Sequence, residues 1–244
     1  MSKVNRICRK MTYRELELVK AKLGKLLVTA RITERSKQGV RAKYHFLVRR
    51  VHSLAGVLPI GIFLIFHLNL NVIASVNPAL YERHITVMRN LPGILYLETL
   101  LVFLPLFFHA VYGLIIAYDA EFNLHYYLYS RNWYFMLQRL SGILTFLFVV
   151  LHLTLVTAER GSAADTVQAL TGYVAARGGQ ILFLIGVLAA VFHFANGLWA
   201  FLITWGITVG PRSQRVAGWL CGGVFVLLSV TAVQTIAQLR GGEF

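Results

Sequence analysis

Charged residues are scarce in this chain of 244 residues, and acidic ones especially so. Only 14% of the residues are charged, with ten Asp and Glu against 24 Lys and Arg, whereas soluble domains carry about 25% charged residues. A chain that is 57% hydrophobic, with a mean hydropathy of +0.63, cannot cover itself with a polar surface. This excludes a soluble globular enzyme. The same apolar content excludes a disordered chain, because there is ample surface to bury.

Cysteine is nearly absent as well. Cys8 and Cys221 lie far apart in the chain and on opposite sides of the membrane in the topology derived below, so we expect no disulfide between them. The sequence contains no C-x-x-C-H segment, which excludes covalent attachment of a c-type haem. We expect no cleavable signal peptide, because the first 40 residues hold no apolar core segment.

The positive charge is concentrated in the first 50 residues, which hold 15 of the 24 basic residues and only three acids. A net charge of +14 could indicate nucleic acid binding, but no recognised binding motif accompanies it, and we expect no nucleic acid partner. Five apolar runs follow, at about 51–74, 92–118, 136–158, 180–206 and 216–239. Each is near or above the ~20 residues that cross a bilayer. The predicted fold class is therefore all-α integral membrane, with five transmembrane helices.

The charge distribution also predicts the orientation in the membrane. Because basic residues stay on the cytoplasmic side, we expect a basic cytoplasmic arm at 1–48, a membrane domain at 49–244 and a C-terminus outside the cytoplasmic membrane. A partial helical pattern in the arm, from Met11 to Ile32, suits either anionic lipid headgroups or a cytoplasmic protein partner.

Four of the eight histidines lie deep inside apolar runs, one in each of the first four, whereas His52 lies at the edge of the first run. An ionisable residue inside a membrane is costly and indicates a functional site. His67 lies 17 residues after Arg50, roughly 25 Å from the inner boundary at helical rise, and His109 lies ten residues before Asp119, about 15 Å from it. Treated in the same way, the four form an outer pair, His67 with His152, and an inner pair, His109 with His193. We expect roughly 5–10 Å between the two pairs along the membrane normal.

Two histidines at one depth suit ligation of a haem iron from both faces, because neutral imidazole is a good iron ligand. Two stacked haems would carry electrons across the bilayer. Four glycines could let rings approach the backbone closely: Gly56, Gly113, Gly142 and Gly197.

Other interpretations stay open. A polytopic transporter or proton channel normally has several intramembrane acids, and Glu98 is the single one here. A zinc site needs a third and fourth ligand at the same depth. A cytochrome b of the bc type needs two deep histidines on one helix, and no run contains them. A purely structural role would leave four buried histidines unexplained.

The four histidines and the sequence around them resemble a known family, the cytochrome b membrane-anchor subunit of succinate:quinone oxidoreductases. Within this family the resemblance is to the type with a single anchor subunit, five helices and two haems. The resemblance runs from about Phe46 to the C-terminal region. The matching stretches are RRVHSLAGVLPIGIFLIFH (49–67), LETLLVFLPLFFHAVYG (97–113), SRNWYFMLQRLSGILTFLFVVLH (130–152) and VFHFANGLWAFLITWGITVGPRSQR (191–215). The haem-ligating histidines of the family match His67, His109, His152 and His193, paired between the first and third spans and between the second and fourth.

The resemblance implies that four helices bundle around two stacked b haems. It also implies that the chain is a subunit of respiratory complex II. A flavoprotein subunit would oxidise succinate, and an iron–sulfur subunit would pass the electrons to this anchor. The haems would deliver them to a membrane quinone, for which we expect menaquinone. A fumarate reductase anchor, running from quinol to fumarate, is the alternative within the family. A higher oligomer of the complex is a further open expectation.

Further site residues are predicted around this core. Arg50, His52 and Ser53 lie at the inner mouth of the first span, and Arg139 with Ser141 at that of the third. Of these, Ser53 and Arg139 are the predicted contacts of a haem propionate or quinone, with anchoring of snorkelling arginines at the interface as the alternative.

Two positions bear on proton movement. Glu98, near the outer end of the second run, is predicted to serve an outer quinone or proton site, or else to be a solvated carboxylate at a helix end. Some relatives carry a proton-conducting glutamate two residues before the histidine of the fourth helix. Val191 stands there in this chain, so that route is not expected.

Overall fold

The computed structural model describes residues 17–18, 22, 25–26, 44–121, 124–126, 128–158 and 163–241. The chain divides into two units, Met1–Arg50 and Val51–Phe244. In the first unit the described residues are helical, and the Arg50 guanidinium lies 4.9 Å from the centre of the Phe46 ring. Cys8 and most of the pattern predicted from Met11 to Ile32 lie outside the described residues. The domain boundary after residue 48 stays a prediction.

Five helices in the described part are long and apolar enough to cross a membrane, which confirms the predicted all-α membrane architecture. We name them spans I to V, and they cover Tyr44–Ala74, Ile94–Tyr118, Ser130–Thr157, Arg177–Thr204 and Pro211–Leu239. All but span II begin several residues before the apolar run that predicted them. The reason is that polar side chains at a span end, such as those of Arg131 and Asn132, do not interrupt the backbone hydrogen bonds of a helix.

The spans and their connections form one series of helices. They are α1 (44–57), α2 (Pro59–Val76), α3 (Pro78–Arg89), α4 (Ile94–Glu98), α5 (Leu104–Tyr118), α6 (Ser130–Ala158), α7 (Ala163–Ala175), α8 (Arg177–Thr204) and α9 (Pro211–Gly241), with a π-helical segment at Thr99–Phe103. Prolines account for both irregular spans, because proline lacks the N–H of a helix and crowds the preceding turn. Span I is interrupted at Leu58, directly before Pro59, and span II widens into the π-helical turn before Pro105.

Two of the segments between the predicted apolar runs contain helices of their own. Segment 75–91 holds α3, and segment 159–179 holds α7. Asn77 starts α3, because its side-chain oxygen accepts the N–H of Leu80 at 3.0 Å and Pro78 follows at the first helical position. These helices are too short and polar to register as spans.

Span IV lies at the centre of the packing. Its helix α8 packs along α6 on one side and α9 on the other. The buried apolar cluster draws on four helices and consists of Leu68, Val174, Phe183, Val187, Val191, Leu228, Ala232, Ile236 and Leu239. Two glycines with positive φ, Gly206 at 71° and Gly210 at 98°, make the short turn between spans IV and V, a conformation that glycine adopts without strain.

Candidate functional site

The four intramembrane histidines come together in two pairs. The ring centres of His67 and His152 are 5.8 Å apart, with an interplanar angle of 74°. Those of His109 and His193 are 6.0 Å apart, with an angle of 81°. The structure therefore joins the same residues that the depth argument joined, across spans I and III and across spans II and IV.

The distance between the pairs differs from the sequence estimate. The backbone of Gly56 faces the ring of His109, and the backbone of Gly142 faces the ring of His193. From these glycines to His67 and His152 there are 11 and 10 residues, which corresponds to about 15 Å along the helices. This length along the helices exceeds the 5–10 Å expected along the membrane normal, an estimate that depended on assumed membrane boundaries.

Both histidines of the inner pair face backbone carbonyls. Nδ1 of His109 lies 2.9 Å from the carbonyl oxygen of His52, and Nδ1 of His193 lies 3.0 Å from that of Gln138. A carbonyl can only accept, so each imidazole carries its proton on Nδ1 and donates it. Nε2 then keeps a free lone pair, which is the arrangement that metal-binding histidines adopt.

The spacing of the rings fits a metal held between them. With metal–nitrogen bonds of about 2 Å, as imidazole makes to zinc, and roughly 1 Å from nitrogen to ring centre, two imidazoles on opposite sides of one metal have centres roughly 6 Å apart. Both pairs match this separation. Among the described residues, no cluster of three or more His, Cys, Asp or Glu could hold a metal. Each pair could therefore supply two imidazole ligands to one metal, and any further ligands would have to come from a bound group.

Glycines make the close approach of the inner rings possible. A Cβ on Gly56 would lie 2.4 Å from Cε1 of His109, and one on Gly142 would lie 2.9 Å from Cε1 of His193. Both distances are shorter than non-bonded carbon atoms allow. The predicted role of these glycines in admitting rings therefore applies to the imidazoles themselves.

The outer pair is surrounded by phenyl rings. Phe63 stacks on His67 at 5.4 Å, and Phe148 stacks on His152 at 5.7 Å. Phe183 adds an edge contact to His152 at 5.9 Å. Nδ1 of His152 is buried and has no hydrogen-bond partner within the described part of the chain.

The predicted propionate contacts have protein partners in this structure. Ser53 accepts a hydrogen bond from the indole N–H of Trp205 at 3.0 Å. The guanidinium of Arg139 turns back on its own helix, where it donates to the carbonyl of Phe135 at 2.8 Å and lies 3.3 Å from the centre of that phenyl ring. Ser141 lies closer to the inner pair, with Oγ 3.4 Å from Nδ1 of His193.

The two positions tied to proton movement differ in environment. Glu98 is partly exposed at the end of α4, directly before the π-helical turn of span II. It precedes His109 by 11 residues, which is about 16 Å along a helix. Val191 is fully buried in the apolar cluster.

Sequence analysis missed Gln138 at the inner pair, and it placed His52 at the inner mouth of span I without predicting its contact with His109. The ring of His52, assigned to the inner mouth of span I, stacks on His109 at 4.0 Å with only 7° between the planes. Gln138 donates from its side chain to the carbonyl of His193 at 3.0 Å and accepts from Asn196 at 2.7 Å. The signal that could have found both is a residue with a planar polar side chain four positions before a glycine.

Similar proteins point in one direction. A family model described as succinate dehydrogenase/fumarate reductase transmembrane subunit matches residues 117–232. The succinate dehydrogenase cytochrome b558 subunit of Bacillus subtilis is 43% identical over 195 residues, which cover 78% of this chain and 95% of that protein. The succinate dehydrogenase 2 membrane subunit SdhC of Mycobacterium tuberculosis is 36% identical over 101 residues, 41% of this chain and 72% of that protein. No solved structure matches the chain significantly.

The similarity to the Bacillus protein extends over nearly its whole length, and the family model covers spans III and IV with much of span V. The chain belongs to the family of succinate dehydrogenase/fumarate reductase transmembrane subunits.

Proposed function

We propose that this chain is the membrane anchor and electron-transfer subunit of a succinate dehydrogenase. A flavoprotein subunit would supply electrons to an iron–sulfur subunit, from which this chain would take them. The chain would then pass the electrons through two b haems to a membrane quinone, menaquinone. The observation that carries the proposal is that one helical bundle holds two pairs of neighbouring imidazoles, one pair at each of two levels. The names of the two relatives support a succinate dehydrogenase complex, and cytochrome b558 supports b-type haem.

The residues of the chain have distinct tasks in this proposal. Nε2 of His109 and His193 would bind the inner iron, and His67 with His152 would bind the outer one. A bound haem supplies a one-electron carrier whose potential depends on its axial ligands and their surroundings. The carbonyls of His52 and Gln138 fix the tautomer of the inner ligands, because each holds a proton at Nδ1.

The bundle would also keep water and charged groups away from the path of the electrons between the two histidine pairs. The spans between the two levels are apolar, and within the described core Val191 takes the place at which some relatives carry an acid. Protons for quinone chemistry must therefore enter at the ends of the spans. Glu98 is our proposed group at the outer end, and Ser53 with Arg139 are our proposed propionate or quinone contacts at the inner end.

Purification in a mild detergent tests the function directly. We expect a flavoprotein and an iron–sulfur protein to co-purify with the chain, and succinate to reduce b-type haem absorbance in the purified complex. A chain that purifies without haem and moves a solute across liposomes on its own would contradict the proposal and favour a transporter.

Replacing Glu98 by Gln tests the proton site. We expect slower quinone-linked turnover with unchanged haem content, whereas Glu82→Gln on the exposed surface of α3 should change neither. Turnover that is unaffected by Glu98→Gln would remove Glu98 from the proposal.

The orientation needs its own experiment. An alkaline phosphatase domain fused after Phe244 should be active, because it folds only outside the cytoplasmic membrane, and one fused before the first span should be inactive. The opposite pattern would overturn the proposed topology.

A further inference from the structure

The first four spans form two hairpins that are built alike around the inner pair. In spans I and II, His52 and His109 each precede a glycine by four residues, namely Gly56 and Gly113. In spans III and IV the same spacing joins Gln138 to Gly142 and His193 to Gly197. Position 52 of the first hairpin thus corresponds to position 138 of the second.

Contacts within the two hairpins follow the same scheme. Position 52 or 138 presents its backbone carbonyl to Nδ1 of the inner-pair histidine, at 2.9 Å in one hairpin and 3.0 Å in the other. The histidine ring lies against the glycine four residues later on the first helix of the hairpin. The side chain at position 52 or 138 lies just as close to the glycine of the second helix. A Cβ added to Gly113 would lie 3.2 Å from Nε2 of His52, and one added to Gly197 would lie 3.1 Å from Nε2 of Gln138.

The correspondence continues to the outer pair. In span I, Phe63 stacks on His67 four residues later, and in span III Phe148 does so on His152. From glycine to phenylalanine there are seven residues in span I and six in span III. The extra residue lies in the stretch that is interrupted at Leu58.

The side chains at the two equivalent positions differ in chemistry but share a flat shape. The imidazole of His52 stacks on His109 and contacts the ring of Tyr112 at 5.7 Å. The amide of Gln138 bonds to the carbonyl of His193 and to Asn196. Tyr112 and Asn196 each lie three residues after the histidine of their own span, so the neighbours correspond as well.

We propose that His52 and Gln138 are equivalent positioning residues, and that each can be replaced by the other. Each places a planar polar group in the narrow space beside a glycine of the neighbouring helix, Gly113 for His52 and Gly197 for Gln138. In this way each holds its own backbone carbonyl against Nδ1 of an inner-pair histidine. This inference rests on the proposed function, because its readouts require a haem at the inner pair.

A lost carbonyl contact has a defined electronic effect. Donation of the Nδ1 proton to a carbonyl makes an imidazole a more basic ligand, and a more basic axial ligand favours the oxidised iron. A side chain that cannot hold the carbonyl in place should therefore raise the midpoint potential of the inner haem. The outer haem, about 15 Å away along the helix, should keep its potential.

The experiment uses the purified complex, with variants Gln138→His, His52→Gln, Gln138→Leu and His52→Leu. Optical redox titration and the low-spin electron paramagnetic resonance signals of the oxidised haems give the readouts. We expect both exchange variants to keep the two wild-type potentials and signals. Both Leu variants should shift one potential upward and change one signal. Gln234→Leu, at an exposed position of span V, is the matched control and should change nothing.

The outcomes separate the inference from the proposed function. Haem-loaded Leu variants with wild-type titrations, or exchange variants that behave like the Leu variants, overturn the inference alone. If the Leu variants do not yield a complex, the exchange variants decide: two wild-type signals support the inference, and loss or shift of one overturns it. Absence of haem from the wild type overturns the proposed function and the inference with it.

Discussion

The inner and outer histidine pairs have similar ring separations but are held in different ways. Both histidines of the inner pair donate to backbone carbonyls of a neighbouring span, and glycines admit their rings. The outer pair instead has stacked phenyl rings from its own helices, and within the described residues Nδ1 of His152 has no partner.

This difference separates two ways of fixing a ligand. A hydrogen bond sets the tautomer and the rotation of an imidazole together, so the inner pair is fixed by specific polar contacts. Stacking restricts the plane of a ring but leaves the position of its proton open. We therefore expect the inner pair to respond to changes at the helix contacts and the outer pair to changes in the phenyl rings.

The largest expected effect comes from replacing the histidines one at a time by Ala. His67→Ala and His152→Ala should remove the same haem component, and His109→Ala and His193→Ala the other, because in the proposed function each iron would need both members of its pair. Haem content per chain should fall from two to about one, measured by pyridine haemochrome together with redox titration. His84→Ala, an exposed histidine of α3, should retain both. Loss of different components within one pair would contradict the pairing.

Alanine at the glycines should have the next largest effect. Gly56→Ala places a methyl group 2.4 Å from the ring of His109, and Gly142→Ala places one 2.9 Å from that of His193. Overpacking of this kind costs about 1–3 kcal/mol, and we expect the greater loss at Gly56. Thermal unfolding of the complex measures the difference.

The control for the glycines is Gly222→Ala, because nothing in the described structure lies within 4 Å of a Cβ at that position. It should keep the stability of the wild type or gain slightly, since alanine is the better helix former. An equal loss in all three variants would show that close ring approach is not the cause.

Changes in the phenyl rings should affect only the outer pair. Phe148→Leu and Phe63→Leu remove a stacked contact worth about 0.5–1.5 kcal/mol, and should alter the potential of one haem. Phe66→Leu, whose side chain is exposed in the same helix as Phe63, is the matched control. If the component altered by Phe148→Leu is the one that His193→Ala removes, the division into two environments fails.

The smallest expected effect is at the bond between spans I and IV. Trp205→Phe removes the hydrogen bond of 3.0 Å to Ser53, at an exposed position, and should cost about 0.5 kcal/mol. Haem content and both potentials should stay those of the wild type. A shift of the inner potential would instead indicate that Trp205 orders Ser53 for a contact with the haem.

The sequence was sufficient for the features that depend on composition and depth. Long apolar runs predicted the five spans, because a bilayer sets the length of a helix that crosses it. The four histidines were conspicuous since charge is so scarce around them. Their pairing followed from counting residues from the predicted membrane boundary along consecutive spans, which alternate in direction.

The sequence was insufficient where contacts depend on how helices rotate and approach one another. Gln138 is a polar residue four positions before Gly142, but this spacing alone does not tell whether its side chain faces another helix or the membrane surface. Its contact with His193, 55 residues away, requires the crossing of spans III and IV to be known. The same applies to His52 and His109, which are 57 residues apart.

The central claim is that two haem sites lie in this chain, one at each histidine pair. An optical redox titration of the purified wild-type complex, calibrated by haem and protein content, tests it most directly. The account predicts two b-type components, each with about one haem per chain. A single component, or a haem content of one or none per chain, would contradict it.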